Sequence, residues 1–429
     1  MVEGRNRRRL KVLFLTSWYP TRETPAKGTF VREHAKAVRL YDDVVVLHCH
    51  ELSPDLASPW RFEQEHNEEL TQGIPTYRAL YRRSPAPKTS YFAYLWGVLR
   101  AYRRIVETGF RPQVIHAHVF EAGVPAVLIG RLYGLPVVIT EHFSAFIRKA
   151  LGSAELHKAR FAFGQARLVM PVSAALQAGI EGCGIRARFR VVPNAIDTDL
   201  FSPPVKDRGD RENALDCKEG EALDRREGVK RLLFVGALSP AKGMEHLLAA
   251  LTQLLRERTD WRLDVVGEGP NQADDERMSA QMGLGAYVAF HGRMPKAEVA
   301  SFMRQADVYV LPSLVETFSV SLAEAMATGL PVVATRCGGP EEYVTESAGV
   351  LVPPGDALAL YQGLRAVLND LNRYSAEQIS ALIRQRFGAR SVGSQLDAIY
   401  REVTGVTDEA SYADLDGQGR PGASGEAQR

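Results

Sequence analysis

Short apolar runs alternate with longer helical patterns along nearly the whole of this 429-residue chain. Each run is apolar at consecutive positions rather than at every second one, which is typical of parallel strands covered by helices on both faces. Two consecutive sets of such runs predict an α/β fold made of two doubly wound, Rossmann-like domains. Ligands of these sheets bind at the carboxyl ends of the strands, so we expect the two sheets to face each other across a cleft. The predicted strands are residues 12–16, 44–49, 114–118, 136–140, 168–171 and 190–193, and then 231–235, 262–266, 287–290, 307–311, 332–335 and 350–352.

A chain of this length exceeds the size of one ordinary hydrophobic core. We predict a first domain over residues 1–200, a charged linker or insertion over 201–230 and a second domain over 231–375. The helical pattern at 376–404 is not followed by another strand. Residues 405–429 are polar and rich in glycine, which predicts a disordered tail.

The composition is that of a soluble globular protein, with 45% apolar and 24% charged residues. The formal net charge of +2 gives no reason to expect a nucleic-acid partner. Four scattered cysteines form no close pair, which favours a reducing compartment. The basic N-terminus is followed only by the short apolar run 12–15, and no apolar stretch has spanning length. We therefore expect a cytoplasmic protein, soluble or at most peripheral to the inner face of a membrane.

Two carboxylates flank the junction between the predicted strand at 307–311 and the apolar-faced helical pattern that follows it. If that helix begins near Ser319, Glu316 lies on the preceding loop and Glu324 lies in the second turn. Free backbone amides near Ser319 and Val320 then point into the space between the two carboxylates. Acceptor oxygens at two depths, with amides between them, suit a ligand with hydroxyls at both ends and a phosphate in the middle. The junction therefore predicts a nucleotide-sugar site.

Two further positions have the geometry of an anion site. Lys242 and Gly243 follow the strand that leads to Gly236 and open a helix, and a lysine beside free helix amides favours phosphate. Gly28 precedes a helical pattern after the first strand, where a glycine lets the backbone approach an anion closely. The loop after the first strand contains no Gly-x-Gly-x-x-Gly, which argues against a dinucleotide oxidoreductase.

Three histidines are expected at the carboxyl ends of neighbouring strands. Alternation places His116 and His118 on the same side of one strand, with His118 nearer the cleft, and His142 follows the next strand. A neutral imidazole donates a hydrogen bond to a sugar hydroxyl or to developing charge. A zinc site made by these three histidines is a competing interpretation, although the sequence offers no clear fourth ligand.

The segment from Tyr77 to Arg111 interleaves aromatic side chains with cations. This mixture suits a bilayer interface with anionic headgroups, so an anionic membrane surface is a possible partner. A nucleic-acid surface uses the same residue types, but the near-neutral chain argues against it. A buried aromatic face with a solvated basic face is the remaining alternative. The residues concerned are Tyr77, Tyr81, Tyr91, Phe92, Tyr94, Trp96 and Tyr102, with Arg78, Arg82, Arg83, Lys88, Arg100, Arg103 and Arg104.

The stretch from Pro312 to Met326, followed by 327–335 and by Gly338-Gly339-Pro340-Glu341-Glu342, resembles the C-terminal signature of the group 1 (family 4) retaining glycosyltransferases. These enzymes have the GT-B fold of two facing Rossmann-like domains, and the resemblance covers roughly residues 11–400. It implies hexosyl transfer from a nucleoside-diphosphate sugar to a hydroxyl of a glycolipid or polysaccharide, in the synthesis of a bacterial envelope or exopolysaccharide. A GT-B epimerase or phosphorylase, a non-catalytic nucleotide-sugar-binding relative and a Rossmann oxidoreductase stay open as alternatives.

The resemblance also implies roles for single residues. Lys242 would bind the diphosphate, Glu324 the ribose hydroxyls, and Glu316 and His118 would face the donor sugar and the reacting centre. The family works by same-face displacement in which the leaving diphosphate accepts the proton, so we expect no metal or other cofactor. The family also has its terminal helix, here 376–404, cross back to the first domain. Further donor-binding positions carried over in this way are Gly28, Gly236, Gly267, Phe318, Ser319 and Val320.

This chain departs from the family pattern at one donor-binding position. The family commonly has an arginine directly after the glycine at Gly236, as a second cation on the diphosphate, and this chain has Ala237. A lysine does not replace the bidentate guanidinium of arginine. Either donor affinity is lower in this chain or another cation substitutes, and Arg293 is the candidate because it follows another strand of the same predicted sheet.

Overall fold

A computed structural model describes residues 7–52, 60–82, 87–204 and 228–407. Most of the predicted linker and of the predicted tail therefore lies outside the described residues. Strands and helices alternate as the sequence predicts, and they build two separate sheets. The predicted fold class of two doubly wound α/β halves is confirmed.

Among the described residues, the first half contains seven strands and six helices. The strands are β1 (Lys11–Thr16), β2 (Asp43–Leu52), β3 (Trp60–Glu65), β4 (Thr76–Arg82), β5 (Val114–His118), β6 (Val137–Glu141) and β7 (Leu168–Pro171). The helices are α1 (Thr29–Arg39), α2 (Glu68–Thr71), α3 (Pro87–Glu107), α4 (Phe120–Tyr133), α5 (Ser153–Gln165) and α6 (Ala174–Gly182).

The second half contains six strands and five helices, and two further helices end the described chain. The strands are β8 (Lys230–Val235), β9 (Trp261–Val266), β10 (Val288–Phe290), β11 (Val308–Leu311), β12 (Val332–Thr335) and β13 (Gly349–Val352). The helices are α7 (Met244–Glu257), α8 (Gln272–Gln281), α9 (Lys296–Gln305), α10 (Val320–Ala327), α11 (Ala357–Asn369), α12 (Ala376–Phe387) and α13 (Ala389–Thr404).

The strand order of each sheet reverses direction once near its centre. The first sheet has the order β3-β4-β2-β1-β5-β6-β7, and only the edge strand β3 is antiparallel to its neighbour. The second sheet is wholly parallel, with the order β10-β9-β8-β11-β12-β13. The reversals fall between β1 and β5 and between β8 and β11. A crevice opens at such switch points, at the carboxyl ends of the strands.

The sequence-based assignment is wrong for one of the six strands predicted in the first half. Residues 190–193 form no strand, although the amides of Arg190 and Val192 donate to carbonyls of β7 at 3.0 and 3.1 Å. Pro193 has no amide hydrogen with which to continue the pairing. The sequence-based assignment also missed β3 and β4. Their mixture of charged and aromatic residues hides the apolar run, and no residue of the edge strand β3 is fully buried.

The terminal helical pattern is two helices rather than one, with Gly388 between them. The amide of Ile196 donates to the carbonyl of Phe387 at 2.8 Å, so the two connections between the halves run side by side. Helix α13 then packs on α1, where a Cβ atom on Gly393 would lie 2.2 Å from the carbonyl oxygen of Ala37. The chain thus returns to the first sheet, as the family resemblance implied. None of the described helices is both long and apolar enough to cross a bilayer.

Candidate functional site

The switch point of the second sheet holds an ion pair. Lys242 ends a short 3₁₀ turn after β8, and its Nζ lies 2.5 Å from Oε1 of Glu316. The hydroxyl of Ser313 donates to the same oxygen at 2.8 Å. Gly243 has φ of +64°, and a Cβ atom there would lie 2.3 Å from the carbonyl oxygen of Pro312. A glycine is therefore needed here to bring Lys242 against the loop that carries Glu316.

Helix α10 begins where the sequence predicts, with Ser319 as its N-cap residue in the left-handed region at φ of +66°. The hydroxyl of Tyr343 donates to the carbonyls of Phe318 and Ser319 at 2.7 and 3.0 Å and fixes this strained turn. The Ser319 hydroxyl is buried and has no partner. This end of α10 therefore offers a helix N-terminus with an unused hydroxyl beside Glu316.

Glu324 lies in the second turn of α10 and is buried. Its Oε1 lies 3.2 Å from Nζ of Lys296, the first residue of α9. Burial raises the pKa of Glu324, and the ammonium of Lys296 works in the opposite direction. Glu316 and Glu324 thus flank the start of α10, each with its own lysine. Two acidic groups at different depths agree with the predicted arrangement of the junction.

Of the three predicted glycines Gly28, Gly236 and Gly267, two have a structural reason for being glycine. A Cβ atom on Gly267 would lie 1.9 Å from the carbonyl oxygen of Gly236, where the ends of β8 and β9 meet. A Cβ atom on Gly28, at φ of +70°, would lie 2.2 Å from the carbonyl oxygen of Trp18. These contacts explain the residue type without a ligand, so the donor-binding role of the three glycines stays a prediction.

Arg293 does not join the Lys242–Glu316 pair. Its guanidinium forms an ion pair with Glu268, and both side chains are about half exposed. Glu268 follows β9 and Arg293 follows β10. Both strands lie on the far side of β8 from β11, the strand that leads to Glu316. The expected substitution of Arg293 for the missing arginine at Ala237 therefore remains a prediction, and it requires Arg293 to leave Glu268.

His116 and His118 have different environments, although they lie on the same strand. The Nδ1 atom of His116 lies 2.6 Å from the hydroxyl of Tyr400 and its Nε2 atom 2.7 Å from the hydroxyl of Thr140, so both ring nitrogens are engaged. His118 Nδ1 lies 3.1 Å from Nε2 of His142, and its own Nε2 has no partner. His116 is a structural residue that ties α13 to the sheet, whereas His118 keeps one nitrogen available.

A histidine that the sequence did not single out completes this cluster. Nε2 of His34 on α1 donates to the carbonyl oxygen of Pro193 at 3.0 Å, and its Nδ1 is buried without a partner. One ring nitrogen each of His34, His118 and His142 lies within 4.8 Å of the others. Burial lowers the pKa of all three, to about 4 for His34, so they are neutral at physiological pH. Neutral imidazoles of this kind can form hydrogen bonds with the hydroxyl of a bound molecule or coordinate a transition metal.

The zinc alternative named His116, and the structure contradicts that part of it because both nitrogens of His116 are engaged. His34 takes its place in the cluster. His118 belongs to the first sheet, whereas Glu316 and Lys242 belong to the second. Among the described residues, no hydrogen bond joins His118 to either of them.

Sequence reasoning also missed Lys296 and Glu33. Nζ of Lys296 lies 3.5 Å from Oε1 of Glu33 on α1, so Lys296 joins the second half to the first. A lysine at the start of a helix and a glutamate within one carry no signal of such a pairing. The sequence points to Gly28, and helix α1, which follows Gly28 directly, also supplies Glu33 and His34.

The predicted surface from Tyr77 to Arg111 is not one surface. Tyr94 and Tyr102 are buried, and Arg78 is buried beside Glu65 and His48. That part of the interpretation is wrong, because β4 places Arg78, and α3 places Tyr94 and Tyr102, inside the domain. Arg83 lies outside the described residues.

What remains exposed in this region is an apolar groove between α3 and α4. Phe92 and Trp96 on α3 are 70% and 58% exposed, and Leu132 on α4 is 60% exposed. Cations stand beside it, since Nε of Arg103 donates to the hydroxyl of Tyr133 at 3.1 Å. We call this region the α3–α4 groove. It is lined by Phe92, Leu95, Trp96, Leu99, Pro125, Leu128, Ile129 and Leu132.

Two family models match the chain. The model described as "Glycosyl transferases group 1" matches residues 218–382, and the one described as "Glycosyltransferase Family 4" matches residues 28–200. The chain is 30% identical over 329 residues to a D-inositol 3-phosphate glycosyltransferase of Xylanimonas cellulosilytica, covering 73% of this chain and 76% of that protein. It is 28% identical over 299 residues to a glycogen synthase of Mycobacterium tuberculosis, covering 67% and 68%.

Solved structures share the fold. Sucrose-phosphate synthase from Thermosynechococcus elongatus superposes with a TM-score of 0.70 at 20% identity, covering 93% of this chain and all of that one. HepE of Anabaena, solved in complex with UDP and glucose, superposes with a TM-score of 0.69 at 21% identity, covering 92% of this chain and all of that one. At such identities these structures establish the architecture alone.

Proposed function

This chain belongs to the group 1, family 4 glycosyltransferases and uses a nucleotide-sugar donor, and we propose that it is a retaining enzyme whose acceptor is a glycolipid or polysaccharide hydroxyl of a bacterial envelope. The observation that carries the donor site is the pairing of Lys242 with Glu316 and of Lys296 with Glu324 on either side of the start of α10. The start of α10 lies between the two pairs, where a diphosphate is favoured.

The donor would lie along this junction. In the donor complex, the ammonium of Lys242 would leave Glu316 and bind the diphosphate. Its interaction with two phosphate oxygens is stronger than its interaction with one carboxylate oxygen. Glu324 would accept hydrogen bonds from the ribose hydroxyls. Glu316, freed from Lys242, would face the donor sugar. The positive charge of Lys242 and the amides of α10 would then stabilise the leaving diphosphate as its negative charge develops.

The first half would supply the other wall of the reacting centre. His118 is neutral, buried and has an unpartnered Nε2, so it would donate a hydrogen bond to a hydroxyl of the donor sugar. The acceptor hydroxyl would attack on the face from which the diphosphate leaves, and a diphosphate oxygen would take its proton. Catalysis then rests on positioning and on charge stabilisation, with no protein nucleophile and no metal needed for the diphosphate.

The α3–α4 groove supports a lipid-linked acceptor. It combines exposed Phe92 and Trp96 with the cations Arg103 and Arg131 on the first half. Apolar side chains beside cations suit a bilayer surface with anionic headgroups. The enzyme would therefore bind peripherally at the cytoplasmic face of the membrane. The donor would enter the cleft from solution.

The test is a donor and acceptor screen. Thermal-shift measurements against UDP-, GDP- and ADP-sugars identify the donor, because a bound ligand raises the apparent stability by mass action. The stabilising donor is then incubated with membrane lipid extract, and the product and the released nucleotide are measured. Transfer with retained anomeric configuration supports the proposal. Isomerisation of the donor without acceptor would instead indicate an epimerase, and a requirement for inorganic phosphate would indicate a phosphorylase. Binding without turnover would indicate a non-catalytic relative.

A further inference from the structure

Lys296 is the one described lysine that contacts buried carboxylates from both halves of the molecule. Its Nζ lies 3.2 Å from Glu324 Oε1 and 3.5 Å from Glu33 Oε1. The Lys296 side chain is 29% exposed, whereas those of Glu324 and Glu33 are 9% and 6% exposed. A single cation thus stands between an acidic group of the donor site and an acidic group of the opposite half.

A buried carboxylate that lies near a second one depends on nearby cations to stay ionised. Burial alone disfavours an ionised carboxylate, and a second carboxylate nearby disfavours it further. Burial does raise the pKa of Glu324, and Lys296 is the main influence that opposes this rise, while Glu33 and Asp197 add to it. Burial also works against the charge of Lys296, but Glu324 and Glu33 outweigh it, so the pKa of Lys296 is raised.

Other charged groups face this cluster from the first half. Arg32 lies 3.9 Å from Glu33, and Lys36 lies 3.0 Å from both Glu33 and Asp197. Glu33 therefore has three cations and Asp197 has Lys36. Among the ion pairs of the described residues, Glu324 has Lys296 alone. Removing the charge of Lys296 should consequently affect Glu324 far more than Glu33.

We infer that Lys296 is a positioning residue that keeps Glu324 ionised for the ribose of the donor and couples this carboxylate to the opposite half through Glu33. This rests on the proposed role of Glu324. An ionised carboxylate accepts a much stronger hydrogen bond from a ribose hydroxyl than a protonated one does. Because Lys296 also holds Glu33, binding of the nucleoside and closure of the cleft would stabilise each other.

The inference predicts that the pH dependence of donor binding moves to higher pH when the charge of Lys296 is removed. Without the ammonium, the pKa of Glu324 rises further, so the carboxyl becomes protonated at a higher pH than in the wild type. Donor binding should then weaken about tenfold per pH unit below that pKa, because the protonated form has to be ionised first. In the wild type the same loss should appear only at lower pH.

The experiment measures the dissociation constant of the stabilising nucleoside diphosphate by calorimetry at several pH values. Lys296→Met keeps the apolar stem without the charge, Lys296→Gln is a second neutral variant in case the first does not fold, and Lys296→Arg restores the charge. We expect pH-dependent weakening in the neutral variants and a wild-type profile in Lys296→Arg. A parallel, pH-independent loss in the neutral variants, or no loss, would overturn the inference.

A Glu324→Gln variant separates this inference from the proposed function. If Glu324→Gln binds the nucleotide as the wild type does, the ribose role of Glu324 is wrong. If Glu324→Gln weakens binding while the neutral Lys296 variants keep the wild-type pH profile, only the role of Lys296 is wrong. Small-angle scattering tests the coupling, because Lys296→Met and Glu33→Gln should both shift the nucleotide-bound protein towards a more open cleft. Unchanged scattering in both variants would remove the coupling.

Discussion

Lys242 and Glu316 are 74 residues apart in sequence and form an ion pair at the carboxyl ends of β8 and β11. These two strands are neighbours, and the strand order reverses between them. The pair therefore marks the crevice that the topology opens, and it places a cation and a carboxylate where a diphosphate and a sugar would lie. The first two predictions follow from this arrangement.

Lys242→Ala and Glu324→Ala should each weaken binding of the donor nucleotide. The lost interactions are charge-assisted hydrogen bonds, which typically contribute about 1.5–3 kcal/mol. Calorimetry with the nucleoside diphosphate measures the effect. Arg277→Ala and Glu276→Gln, on the exposed side of α8, are matched controls and should bind as the wild type does. Wild-type affinity in both cleft variants would remove the donor assignment.

Glu316→Ala and His118→Ala should lower turnover more than they lower nucleotide affinity, since both side chains are expected to face the sugar. Interactions made with the transition state alone appear in kcat rather than in binding. We expect kcat to fall about a hundredfold, comparable to the loss of one preorganised hydrogen bond at a reacting centre. The control is His157→Asn, because His157 is exposed on α5. Wild-type turnover in either variant would show that the reacting centre lies elsewhere.

Tyr400→Phe should destabilise the protein without changing donor binding. It leaves Nδ1 of buried His116 without its partner, which costs about 1–3 kcal/mol. It also loosens the return of α13 to the first sheet. Thermal unfolding measures the loss, and nucleotide affinity should stay unchanged because His116 is structural. A large loss of affinity in Tyr400→Phe would contradict the separation of His116 from His118.

Acid should destabilise the protein through its buried histidines. The pKa of His34 is lowered by burial from 6.5 to about 4 in the folded protein, whereas in the unfolded chain it returns to its ordinary value. The unfolded state therefore binds more protons between these pH values, so stability is lost as the pH falls through this window. His34→Gln should flatten the dependence of the thermal midpoint on pH in this range. An unchanged dependence in His34→Gln would show that other groups govern it.

The sequence predicted local features better than contacts between distant residues. The start of α10 at Ser319 and the positions of Glu316 and Glu324 followed from the boundary between a strand and a helix. Lys296 and His34 could not be found in this way, because their partners lie in other parts of the chain and neither position has a local signature. β3 and β4 were missed for a different reason, since charged residues interrupt their apolar pattern at the edge of the sheet.

The last prediction concerns the α3–α4 groove and an anionic membrane. The protein should co-sediment with vesicles that contain anionic lipid, and less with neutral ones, because each cation near such a surface contributes about 1 kcal/mol. Binding should fall with added salt, with Phe92→Ala and Trp96→Ala, and when Arg103, Arg104 and Arg131 are changed to glutamine. Leu358→Ala is the matched control, because Leu358 is 53% exposed on α11 of the second half. Equal sedimentation with both vesicle types, or none, would show that the groove is not a membrane surface and would favour a soluble acceptor.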